Sequence, residues 1–73
     1  MDYEDIRAFD VELFAARTRF RALIWADGEG RFQLREIRLE SGEVLPGQAE
    51  PLETADAAKQ VAREAVERWL SNV

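Results

Sequence analysis

The sequence predicts an α+β domain: an antiparallel sheet of three to four strands with one C-terminal helix packed on one face, in the order β-β-β-(β)-α. Three observations predict it. Residues 19–26 and 31–40 alternate apolar and polar side chains around a glycine-containing turn. Residues 55–70 hold neither Gly nor Pro and repeat apolar positions at helical spacing. The 73 residues, 47% of them apolar, suffice for one small core, so 1–73 reads as a single domain.

The hairpin is the most definite part of the sheet. Arg19 to Ala26 sets Phe20, Ala22, Ile24 and Ala26 on one face and Arg19, Arg21, Leu23 and Trp25 on the other. Asp27-Gly28-Glu29-Gly30 places Asp first and Gly fourth, which suits a type I turn closed by a left-handed glycine. In the return strand, Phe32 and Leu34 share one parity while Ile37 and Leu39 have the other. One extra residue near Arg35-Glu36, a β-bulge, returns all four to the same face. The register that follows sets Ala26 against Phe32, Ile24 against Leu34, Ala22 against Ile37 and Phe20 against Leu39. Ser41-Gly42 turns the chain again, and Glu43-Val44-Leu45 fits a short edge strand that Pro46-Gly47 ends.

Thr54 suits a helix N-cap and Asp56 the first turn. Ala58, Val61, Ala62, Ala65, Val66, Trp69 and Leu70 then form one apolar stripe, with Lys59, Gln60, Arg63, Glu64 and Glu67 opposite. Residues 8–16 fit two readings. Phe9, Val11 and Leu13 alternate with Asp10 and Glu12 as in a strand, yet Ile6, Phe9, Leu13, Ala16 and Phe20 also fit helical spacing. The strand is preferred, because two strands under one helix make a thin core. Residues 1–7 are expected to be flexible.

Composition excludes several functions. No apolar run approaches the roughly 20 residues of a membrane span. Without Cys or His there is no thiolate, no zinc–thiolate site and no imidazole base. The net charge is −5, but residues 17–38 alone carry six Arg against three carboxylates. These arginines are expected to pair with the acidic flanks. The acidic N-terminus lacks the basic start of a signal peptide, so a cytoplasmic location is expected.

No catalytic constellation stands out. Ser41 and Ser71 occupy turn and helix-end positions, and Lys59 lies on the polar helix face. The pairs Asp10/Glu12 and Glu64/Glu67 read as solvated charge. Asp27-Gly28-Glu29 fails the calcium-loop template, whose sixth position needs Gly where Phe32 stands. Gly28-Glu29-Gly30 is no nucleotide-binding fingerprint. A non-enzymatic domain without cofactors or metals is expected.

The segment Glu53-Thr54-Ala55-Asp56 through Trp69-Leu70 resembles the helix closing small bacterial sheet-plus-helix domains of the HicB-like antitoxin type. The resemblance covers residues 53–70 and rests on a capping Thr, a run of Ala and a final aromatic-Leu pair. It implies the same sheet-plus-helix fold and, for function, an antitoxin role. The family's Pro-Gly-Cys loop segment has no match at Asp27 to Arg31.

One helix covers one face of a small sheet, so the other is expected to remain open. Phe14, Arg19, Arg21, Leu23, Trp25 and Arg38 are the candidate interaction surface, with Gln33 and Glu40 beside them. Its expected partner is another protein or, most simply, a second copy whose Asp10 and Glu12 meet these arginines across a two-fold axis. The alternatives are single-stranded nucleic acid stacked on Trp25 and an N-terminal segment, with Tyr3 and Ile6, folded over the patch.

Overall fold

The computed structural model describes residues 7–48 and 50–72. Four strands, β1 (Arg7–Ala15), β2 (Thr18–Ala26), β3 (Phe32–Leu39) and β4 (Val44–Pro46), precede one helix, α1 (Ala55–Ser71). The strands pair antiparallel in the order β1-β2-β3-β4, an open meander. This is the α+β arrangement that the alternation and the helical stripe predict. Residues 8–15 adopt the strand reading, and Arg7, expected to be flexible, already pairs with Ala26. Tyr3 and Ile6 lie outside the described residues.

A turn that composition does not announce creates the first hairpin. Ala15 pairs with Thr18 across Ala16 and Arg17, whose φ angles are 52° and 63°. Two consecutive left-handed residues make a type I′ connection, the one whose twist matches paired strands. That position usually takes Asn-Gly. Here two side-chain-bearing residues occupy it, at a cost of order 1 kcal/mol each.

The second turn follows its sequence closely. Gly30 has φ 83°, and the Asp27 N–H donates to the Arg31 carbonyl at 2.9 Å. The Asp27 carboxylate accepts from the backbone N–H groups of Glu29 and Arg31 at 2.9 and 3.0 Å. Those two donors, Arg31 first, hold its pKa below the ordinary 3.8. Beyond the turn, the predicted register holds throughout: Ala26 faces Phe32, Ile24 faces Leu34, Ala22 faces Ile37 and Phe20 faces Leu39. Between them Leu23 faces Glu36, leaving Arg35 as the extra residue of the bulge. β3 ends at Leu39, so Glu40 belongs to the following turn and not to the open face. β4 runs one residue later than predicted and includes Pro46, which an outer strand tolerates.

The segment after β4 continues along β3 as a strap. The N–H groups of Gly47 and Gln48 donate to the carbonyls of Arg35 and Leu34 at 3.1 and 3.0 Å. Leu52 then exchanges two hydrogen bonds with Phe32, at 2.7 and 2.6 Å. Any Cβ at position 47 would collide with the backbone carbonyls of Leu34 and Arg35. Only glycine allows the strap so close to the sheet.

The Thr54 hydroxyl caps α1 by accepting the Ala57 N–H at 3.0 Å. Ala58, Ala62 and Val66 are fully buried against the sheet. Val61, Ala65, Trp69 and Leu70 pack at the margins of the same core. Beneath them lie Phe20, Ile24, Leu34 and Ile37, all at 2% exposure or less. Each of these large side chains is worth about 1.5–3 kcal/mol on burial.

Two outcomes test this architecture. Ala62→Asp inserts an unpaired carboxylate at a site with no solvent access and should lower unfolding free energy by about 3 kcal/mol or more, read by urea denaturation. Arg17→Gly relieves a left-handed residue and should raise stability by about 1 kcal/mol in the same assay.

Candidate functional site

Every directly opposed pair of strand residues shares a sheet face, so the register settles which side chains lie away from α1. On β1 these are Ala8, Asp10, Glu12 and Phe14, and on β2 Arg19, Arg21, Leu23 and Trp25. β3 adds Gln33, Glu36 and Arg38, and β4 adds Val44 and Pro46. All six candidate surface residues, Phe14, Arg19, Arg21, Leu23, Trp25 and Arg38, therefore lie on one face, opposite the helix. Phe14 is 59% exposed and Trp25 37%.

The arginines on this face are engaged within the chain. Arg19 Nε lies 3.1 Å from the Glu12 carboxylate, and an Arg21 terminal nitrogen 3.7 Å from that of Asp10. Arg38 pairs with Glu36. Arg19 and Arg21 thus pair with the acidic N-terminal flank as expected, whereas Arg38 pairs within the basic middle itself. Asp10 and Glu12, expected to meet the arginines of a second copy, each lie beside an arginine of their own chain. Each exposed pair contributes about 0–1 kcal/mol. Their larger effect is to flatten the electrostatic contrast of the face.

Two guanidinium groups lie over aromatic rings. Arg19 sits 5.6 Å from the Phe14 ring centroid, and Arg35 4.5 Å from that of Trp25. Arg35 also donates to the Gln33 side-chain oxygen at 3.5 Å. Strict alternation assigns Arg35 and Glu36 no common face, and the sequence reading accordingly leaves both out of the surface. The bulge is the signal for them: a residue inserted against Leu23 and Ile24 lets consecutive side chains reach the same side. The result is a pit of about 150 Å³ centred on Leu23, with Asp10 and Arg21 on one flank and Glu36 and Arg38 on the other. Trp25, under its arginine, adjoins it.

This face offers apolar contact and π stacking framed by neutralised charge. Among the described residues it contains no nucleophile–base pair. Elsewhere, a groove of about 460 Å³ runs between α1 and the strap, lined by Leu45, Pro46, Val61, Glu64, Arg68 and Trp69 among others. Its only carboxylate among the described residues is Glu64, with no second acid beside it for proton relay. Among the described residues, no three His, Cys, Asp or Glu side chains gather in a group suited to a metal ion. No described helix is long and apolar enough to cross a membrane.

Comparison with known proteins adds no likeness to this geometry. No family model matches the chain, and no curated protein or solved structure matches it either. The candidate site therefore rests on its own residues.

The stacked Arg35 gives this surface a measurable signature. In a Trp69→Phe background, Arg35→Ala removes the guanidinium over the indole and should increase acrylamide quenching of Trp25 fluorescence. Arg35→Lys should fall between the two, since a lysine ammonium covers less of the ring.

Proposed function

We propose that this chain is a non-enzymatic protein-interaction domain whose working surface is the sheet face opposite α1. A single observation carries the reading: Trp25, Phe14 and the Leu23 pit share one open face, with the surrounding charges already paired. Trp and Arg are enriched at the centres of protein interfaces, where a desolvated aromatic anchor supplies most of the binding energy. A partner would place an apolar side chain over Leu23 and stack against Trp25 and Arg35. The neutralised ions around them form a rim that can be desolvated at modest cost, because each charge keeps its partner.

Single-stranded nucleic acid is the weaker alternative. Arg19, Arg21 and Arg38 would have to exchange carboxylates for phosphates, on a chain of net charge −5. The antitoxin role implied by the helix resemblance would require a small protein toxin as the partner, and it stands or falls on identifying that partner.

A photoreactive side chain tests the surface directly. Placed at Val44, on the open face, it should cross-link a protein partner in the native cell. Placed at Gln60, on the outer face of α1, it should not. Leu23→Asp should reduce the Val44 cross-link at least tenfold without loss of fold by circular dichroism. Equal cross-linking from Val44 and Gln60, or no effect of Leu23→Asp, refutes the assignment.

A further inference from the structure

The two margins of the sheet are treated differently. Along β3, β4 and the strap occupy the outer edge from Leu39 to Phe32, through bonds at Leu39, Arg35, Leu34 and Phe32. Along β1, no described residue pairs with the outer edge, and the strand is nine residues long. A long bare edge of this kind is a template for another strand.

The first hairpin determines which backbone groups are free. In a two-residue type I′ hairpin the closing residues, here Ala15 and Thr18, exchange both hydrogen bonds. Counting back along β1, the odd-numbered residues bond to β2. The N–H and C=O groups of Ala8, Asp10, Glu12 and Phe14 therefore point outward.

We propose that β1 pairs antiparallel with β1 of a second copy, about a two-fold axis through Val11, to form one continuous eight-stranded sheet. Self-complementarity argues for this occupant. With Val11 facing Val11, Phe9 faces Leu13 and Ala8 faces Phe14 of the second copy, and all nine residues of each strand are matched. The outward backbone groups of Ala8, Asp10, Glu12 and Phe14 fall opposite one another in bonded pairs. Any register shifted by one residue sets core-side residues against open-face residues.

Burial supports the same choice. Phe9 lies on the helix side, opposite Ile24, yet is 42% exposed, while Ile24 is 1% exposed. Val11 beside it is only half-buried. The core thus has an apolar lip at Phe9 and Val11 that α1 leaves partly exposed. Pairing sets Phe9 and Val11 against Leu13 and Val11 of the second copy, and covers Phe14 on the other face. Asp10 then faces Glu12 of the second copy, two like-charged contacts that oppose pairing. Each of these carboxylates retains its own arginine, Arg21 or Arg19, which offsets the repulsion.

This inference stands on the edge of the sheet and does not need the open face to bind anything. The chain has no native cysteine, so single substitutions report geometry cleanly. Val11→Cys places a thiol on the axis opposite its own copy, at a non-bonded site whose spacing suits a disulfide. Under mild oxidation it should form covalent dimer at least tenfold faster than Glu12→Cys or Val44→Cys, neither of which faces itself. Asp10→Pro in the Val11→Cys background removes an outward N–H that β2 does not use, and should abolish the cross-link while the fold persists by circular dichroism. Leu23→Asp should leave cross-linking unchanged, which separates this edge from the open face. Sedimentation of the unmodified chain should show a concentration-dependent dimer. A strict monomer, or a Val11→Cys rate no faster than that of Val44→Cys, overturns the proposal.

Discussion

The structure depends on how closely one helix can lie on a four-stranded sheet. Ala58, Ala62 and Val66 meet the sheet with no solvent access, and two of the three are the smallest side chains that favour a helix. Small residues lower the helix axis onto Phe20, Ala22, Ile24 and Ile37, producing a dense core from few atoms. The same contact limits its reach. A helix roughly 10 Å across cannot span four strands spaced about 4.8 Å apart, still less their reverse face.

Three regions lie beyond the helix, and two of them are handled by different means. The β3 margin is closed by chain: β4, then Gly47 pressed against the backbone of Leu34 and Arg35, then Leu52 bridging Phe32. The reverse face is managed by charge pairing, with Glu12, Asp10 and Glu36 each holding an arginine beside an apolar residue. The β1 margin has neither device among the described residues. It pairs acidic positions on one side with Phe9 and Val11 on the other.

On the proposed function, internal pairing also determines what the open face can recognise. A chain with net charge −5 has a field that repels nucleic acid, and its arginines do not reverse that while they are bound to neighbouring carboxylates. What remains distinctive is shape and polarisability: a pit over Leu23, and an indole under a guanidinium. Such features favour a partner that buries side chains over one attracted from a distance.

Much of the fold was legible because it is local. The helix follows from an uninterrupted stripe and the Thr54 cap, and the second hairpin from Asp27 and Gly30, whose backbone requirements are written in residue type. The bulge was legible from the parity change between Leu34 and Ile37, because a core face tolerates no misplaced apolar residue. Residues 8–16 stayed ambiguous because their turn, Ala16-Arg17, carries no Gly or Asn, and pairing with β2 alone imposes its left-handed conformation. Arg35 and Glu36 escaped the surface reading for a related reason, since at a bulge the direction of a side chain depends on the partner strand. Residue type determined by itself the second hairpin with its register, the helix and the existence of an open face. Only the tertiary structure decided which ions pair, which ring Arg35 covers and which margin no described residue pairs, because those depend on distances between residues remote along the chain.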